Sequence, residues 1–147
     1  MPTHSETRRM PYSAEQMYAL VADVQSYPKF LPWTSGARIR SRHEEDGAEV
    51  LLADLIISFK VFRESFGSRV VLREEERVIE TSYIDGPFEH MESRWAFRDV
   101  EGGCEVTFDV DFEFKSRLLR GAANMFFQDA MERVVGAFER RAHELHG

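Results

Sequence analysis

The spacing of apolar residues changes once, abruptly, near the end of this chain, and that change limits the folds open to it. Cys104, Val106, Phe108, Val110, Phe112 and Phe114 alternate with Glu105, Thr107, Asp109, Asp111 and Glu113. A period of two over that length is a β-strand with one apolar and one mostly acidic face, and such a strand belongs to an antiparallel sheet with one face in water. After Lys115 the apolar residues recur every three or four positions: Leu119, Ala123, Phe126, Phe127, Ala130, Met131, Val134, Phe138, Ala142 and Leu145. Ser116 is placed to cap a helix, and no proline follows before His146, so the pattern predicts a helix of about 28 residues, about 42 Å long. Gly121 and Gly136 weaken it by about 1 kcal/mol each, which glycine repays where a helix must bend or approach a sheet closely.

Upstream, Thr3 to Met10 reads as an edge strand ending at Pro11. Ser13-Ala14-Glu15-Gln16 has capping-box spacing, and Met17, Leu20, Val21 and Val24 continue it as a short amphipathic helix. Asp23 is placed to cap a second short turn or helix. The run Tyr27-Pro28-Lys29-Phe30-Leu31-Pro32-Trp33 carries two prolines, which forbid a regular strand and leave large apolar groups on a rigid segment. From Thr34 to Lys115 the chain reads as about six strands. Gly47, Gly67, Asp85-Gly86-Pro87 and Gly102-Gly103 mark turns or bulges. Val50 to Ala53 and Leu55 to Ile57 are apolar on both faces, as for a strand covered on both sides, and Met91, Trp95 and Phe97 mark an inward face on the strand before the last.

The expected architecture is one α+β domain over residues 1–147: a curved antiparallel sheet of about seven strands around the long C-terminal helix, with two short helices after the first strand. A straight helix and a twisted sheet do not mate along their whole length. The mismatch predicts an apolar cleft, with Phe30 to Trp33 closing one end. The 12 Phe residues, against 4 Tyr and 2 Trp, suit either a Phe-rich core or the lining of such a cleft.

Little in the sequence points to catalysis. His4, His43, His90, His143 and His146 are scattered; only His143 and His146 are spaced to share a helix face, and they lack the carboxylates or thiols of a metal site. There is no GxSxG, HExxH, P-loop or GxGxxG pattern. A lone Cys104 excludes an internal disulfide and fits a reducing compartment. A net charge of −7 argues against DNA as a partner. No run approaches 18 apolar residues, and the N-terminus lacks a secretory pattern, so a cytoplasmic location is expected. Arg63 or Arg69, if turned inward, would give a cavity a polar anchor. Lys115, Arg117 and Arg120 at the helix start would suit contact with anionic lipid head groups, although the helix mixes both signs of charge.

Several segments resemble, in order, the coenzyme Q-binding START-domain family: Tyr12 to Gln16, Val21 to Val24, Tyr27 to Trp33, Phe59-Lys60, Arg63-Glu64, Ser68 to Val70, Asp85 to Phe88, Trp95, Phe97, Phe108, Phe112 to Phe114, Leu118-Leu119 and Phe138-Glu139. The Tyr-Pro-x-Phe-Leu-Pro-Trp run and the Asp-Gly-Pro-Phe turn are its most specific parts. The same broad family includes polyketide cyclases and ribosome-association toxins. The resemblance implies a START-like helix-grip fold and a ubiquinone-type ligand in an apolar tunnel, bound as cargo without a separate cofactor. It implies a carrier or chaperone role in respiration and no catalytic residue. Strand phase, helix stripe and the matched segments together give the expected ligand-binding set: Phe30, Leu31, Trp33, Arg63, Arg69, Met91, Trp95, Phe112, Phe114, Phe127, Met131 and Val134. Partners expected on this reading are ubiquinone or another apolar small molecule, respiratory complexes, and the inner face of a membrane by transient peripheral contact. The alternatives are a toxin-like protein that binds the ribosome and blocks subunit joining, and a polyketide cyclase or aromatase.

Overall fold

A computed structural model describes residues 3–59 and 62–147, without the side chains of Phe59, Phe62, Ala122, Ala123, Asn124, Phe126 and Phe127. Strand β1 (Thr3–Met10) is followed by helix α1 (Ala14–Ala22) and a 3-10 segment (Val24–Lys29). Six strands come next: β2 (Thr34–Glu45), β3 (Ala48–Phe59), β4 (Phe62–Arg73), β5 (Val78–Asp85), β6 (Phe88–Val100) and β7 (Gly103–Phe114). Helix α2 (Arg117–His146) closes the chain. The expected element order and fold class hold.

The two serine caps act as read, whereas Asp23 precedes the 3-10 segment without capping it, its carboxylate accepting from the Ser26 hydroxyl rather than from a backbone amide. The Ser13 side chain accepts from the Gln16 amide while the Gln16 side chain accepts from the Ser13 amide, a reciprocal cap. Ser116 caps α2 by accepting from the Leu119 amide. The seven strands form one antiparallel sheet in the order β1-β7-β6-β5-β4-β3-β2. Hairpins make every pairing except β1 with β7, which joins the two ends of the strand sequence. Irregular register at Gly36, Ser41, Ser68 and His90 bends the strands.

The sheet has an inner face covered by helices and an outer polar face. Val106, Phe108, Trp95, Phe97, Ile79, Leu72, Val70, Leu51 and Ala53 lie inward and are buried beneath α1 and α2, with Met17, Val21, Val135, Phe138 and Ala142 closing the layer. The double-sided apolar pattern of β3 also holds. Val50 is fully buried on the outer face beside Val71 and Ala48. Gly136 faces β1, where an added Cβ would sit 3.3 Å from an Arg140 Nη and 3.6 Å from an Arg8 Nη. Its missing side chain makes room for Arg8 to cross to α2.

Candidate functional site on the inner face of the sheet

The inner face carries two groups of aromatic rings. In the first, Trp95 stacks on Phe108 with ring centroids 4.2 Å apart, and Phe138 of α2 meets the Trp95 indole edge-on at 5.1 Å. Tyr27 and Phe30 close on Phe138 at 5.4 and 5.2 Å, which locks the proline-rich segment to the second half of α2. Tyr27 also donates its hydroxyl to the Val21 carbonyl, and burial pushes its phenol pKa well above the ordinary value.

The second group lies toward the end of the sheet where β7 stops and α2 begins. Phe88 is its hub, stacked on Phe114 at 4.9 Å and meeting Phe66, Tyr83 and Phe112 edge-on at 5.3 to 5.5 Å. Phe66, Phe88 and Met91 are buried, whereas Leu55, Ile57, Tyr83, Phe112 and Phe114 are only half-buried. Leu55 and Phe112 touch both groups. This end therefore retains apolar surface on the face that helices cover elsewhere. Nearby, Leu118 and Met125 of α2 are 83% and 77% exposed, and Ile84 of β5 is 45% exposed.

The expected site residues divide accordingly. Met91, Phe112 and Phe114 share the second group, and Phe112 links it to the first. Phe30, Leu31, Met131 and Val134 pack, half-buried, against the first group. Trp95 is 6% exposed between Phe108 and Phe138, so it is packed core rather than open wall. Trp33 is half-buried with φ +62, and its carbonyl accepts from the Ser58 amide at the end of β3. A bulky residue in the left-handed region is uncommon and concentrates where function holds the backbone. The Phe127 side chain lies outside the described residues.

Arg63 and Arg69 are corrected. β4 pairs with β3 in unbroken register, and its inward residues are Phe66, Ser68, Val70 and Leu72. The odd-numbered positions therefore face outward. Arg69 reaches Glu45 at 2.7 Å on the outer surface, and Arg63 is exposed. Neither anchors a ligand on the inner face.

The sequence reading missed His4. It sits on the inward phase of β1, opposite Val110, and is 5% exposed. Its Nδ1 lies 2.6 Å from Oε1 of Gln128 on α2, and its Nε2 lies 2.6 Å from Oε1 of Glu6. Glu6 pairs with Arg8 at 3.0 Å, and Arg8 reaches Glu139 of α2 at 3.2 Å. This polar ladder ties β1 to α2 along one edge of the inner face. The alternation His4, Glu6, Arg8 was the available signal.

Two concavities lie away from these aromatic groups and have a different chemistry. A groove of about 560 Å³ crosses the outer face, with Arg69 and Arg73 on one side and Glu92, Asp109 and Asp111 on the other. Its mixed charges do not suit an apolar tail. A cleft of about 550 Å³ beside α1 is lined by Glu15, Glu44, Glu49, Glu74, Glu75 and Glu76, with Arg73 and Arg77. Burial, with Glu74 and Glu49 adding to it, pushes the Tyr18 hydroxyl up to about 12. Cys104 is fully buried, and desolvation, with Asp99 nearby, pushes its thiol up to about 11. Among the described residues, no group of three or more His, Cys, Asp and Glu is placed to hold a metal ion.

Residues 10–139 match the family described as polyketide cyclase / dehydrase and lipid transport, and the chain belongs to that family. It is 34% identical over 148 residues to the ribosome association toxin RatA of Rickettsia prowazekii, covering 99% of each chain. It is 32% identical over 140 residues to the mitochondrial coenzyme Q-binding protein COQ10 of Drosophila melanogaster, covering 92% of this chain and 56% of that protein. The solution structure of an 18 kDa protein from Caulobacter crescentus superimposes with a TM-score of 0.83 at 33% identity, covering 100% of this chain and 99% of that one.

Proposed function

We propose that this protein binds ubiquinone, or a similar polyprenyl lipid, between α2 and the inner face of the sheet, and carries it without transforming it. The observation that carries this reading is the half-buried apolar surface of Phe112, Phe114, Tyr83, Leu55 and Ile57 beside the start of α2. Soluble domains cover such surface unless it has an occupant. The COQ10 relative supports a quinone as that occupant. Burying a tail here gains about 25 cal/mol per Å² relative to water, and less relative to a membrane. Exposed Leu118, Met125 and Ile84 offer a place where a lipid could pass between bilayer and protein. Organic extraction of the purified protein followed by mass spectrometry tests the reading. Recovered quinone, or stoichiometric uptake of added ubiquinone, supports it; repeated absence of both overturns it.

A second reading is favoured by the RatA relative, matched along 99% of both chains. On that reading the protein associates with the ribosome, and the acidic cleft beside α1 is a surface that would suit a basic ribosomal protein. Co-sedimentation with ribosomal subunits, weakened by salt, separates it from the carrier reading.

A further inference from the structure

The cleft beside α1 is assembled by three parts of the chain at one end of the sheet. α1 contributes Tyr18, the end of β2 and start of β3 contribute Glu44 and Glu49, and the β4–β5 turn contributes Glu74 to Glu76. Carboxylates outnumber arginines in its lining by seven to two, and one of the two, Arg73, is committed to Glu80 at 2.7 Å. Among the described residues, Glu74, Glu75 and Glu76 have no ion-pair partner.

Acidic surface alone attracts any cation; Tyr18 narrows the choice. It is 7% exposed, and its ring is held edge-on against Phe97 with centroids 5.9 Å apart. Its hydroxyl lies in the field of Glu74 and Glu49, and among the described residues it has no hydrogen-bond partner. A largely buried hydroxyl is unfavourable there unless something bonds it. Beside the Tyr18 ring the cleft is lined by Ala19, Ala22 and Leu72, so it is apolar between its acidic walls. That layout matches a lysine or arginine side chain, whose methylene stem lies on apolar surface while its head supplies charge and donors. At about 550 Å³ the cleft has room for a segment of chain rather than a lone ion, and among the described residues no carboxylates gather as a metal ion needs.

We propose that the cleft docks a lysine- or arginine-rich segment of a partner protein, with one cation donating to the Tyr18 hydroxyl oxygen and Glu49 and Glu74 balancing its charge. The same carboxylates repel nucleic-acid phosphates, so on a ribosome the contact falls on a basic protein segment and not on RNA. This rests on the ribosome-association reading above and is independent of the lipid site.

The test uses the full chain and three probes: ribosomal subunits, octa-arginine and spermine. Glu49→Gln with Glu74→Gln is expected to weaken binding to subunits and to octa-arginine at least tenfold. Tyr18→Phe, which keeps the ring on Phe97 and removes only the hydroxyl, is expected to cost at least threefold. Glu64→Gln with Glu92→Gln removes the same charge from exposed positions outside the cleft and should stay within twofold. An equal loss in that control assigns binding to net charge and overturns the proposal, as does spermine binding as tightly as octa-arginine. Unchanged co-sedimentation of the cleft variants overturns the proposal while leaving the ribosome reading intact. Octa-arginine bound through the cleft without any binding of subunits removes the ribosome reading and keeps the docking site. If the wild-type protein binds neither, both fall. If Tyr18→Phe does not fold, Glu74→Gln alone, on an exposed turn, carries the test with at least a threefold loss expected, and unchanged affinity overturns the proposal.

Discussion

The imidazole of His4 on β1 and the side-chain amide of Gln128 on α2 meet at 2.6 Å, across 124 residues of sequence. They join the first strand of the chain to its last helix at the edge of the inner face. Glu6 holds the other ring nitrogen, so the ring is fixed at both ends. Replacing His4 by Ala removes the contacts of Glu6 Oε1 and Gln128 Oε1, while Glu6 keeps Arg8, and should cost about 1–3 kcal/mol. Thermal unfolding measures the loss. A double-mutant cycle with Gln128→Ala should return a coupling of at least about 0.5 kcal/mol, and amide exchange should quicken in α2 near Gln128 before it does so in β6.

The two aromatic groups should respond differently to truncation. Trp95→Ala removes a ring packed on both sides and should cost about 3–5 kcal/mol. Phe114→Ala removes a half-buried ring and should cost clearly less, while weakening lipid binding several-fold. Chemical denaturation paired with a lipid-binding titration checks both. Equal stability losses would place Phe114 in the core rather than the site.

Cys104 should resist alkylation in the native protein. Its pKa is raised to about 11, so the reactive thiolate is fully populated only above that pH. At pH 8 it is about one part in a thousand, and the sulfur is also fully buried. Iodoacetamide should label it at the rate of global unfolding, with fast labelling only after denaturant is added.

The exposed apolar residues near the start of α2 give a further prediction. Leu118→Glu and Met125→Glu alter side chains that are 83% and 77% exposed, so stability should change by no more than about 0.5 kcal/mol. Transfer of a fluorescent quinone analogue from anionic vesicles should slow several-fold, while equilibrium binding in detergent-free solution stays unchanged.

The legibility of this chain varied with how regular each pattern was. β7 alternates without a break, and α2 follows with a capping serine and a proline-free stripe, so the grip of sheet on helix could be read from the residues alone. β4 could not be phased in that way. Ser68 lies inward and Val71 outward, against their polarity, so the residues alone left open which way Arg63 and Arg69 turn. Only the pairing with β3 fixes that phase. His4 was hidden for a related reason: it is a polar group on a core-facing position, where a sequence reading defaults to solvent. The aromatic group around Phe88 draws on β3, β4, β5, β6 and β7, and a register of that range is not written in any local window.

The account depends on apolar space between the start of α2 and the second aromatic group. Nuclear magnetic resonance with methyl-labelled protein and short-tailed ubiquinone tests it directly. The account predicts saturable shifts at Met91, Met131, Leu55 and Ile57, with Val50 on the outer face unmoved. Shifts confined to the outer-face groove around Val71, or none at any concentration of ligand, would contradict it.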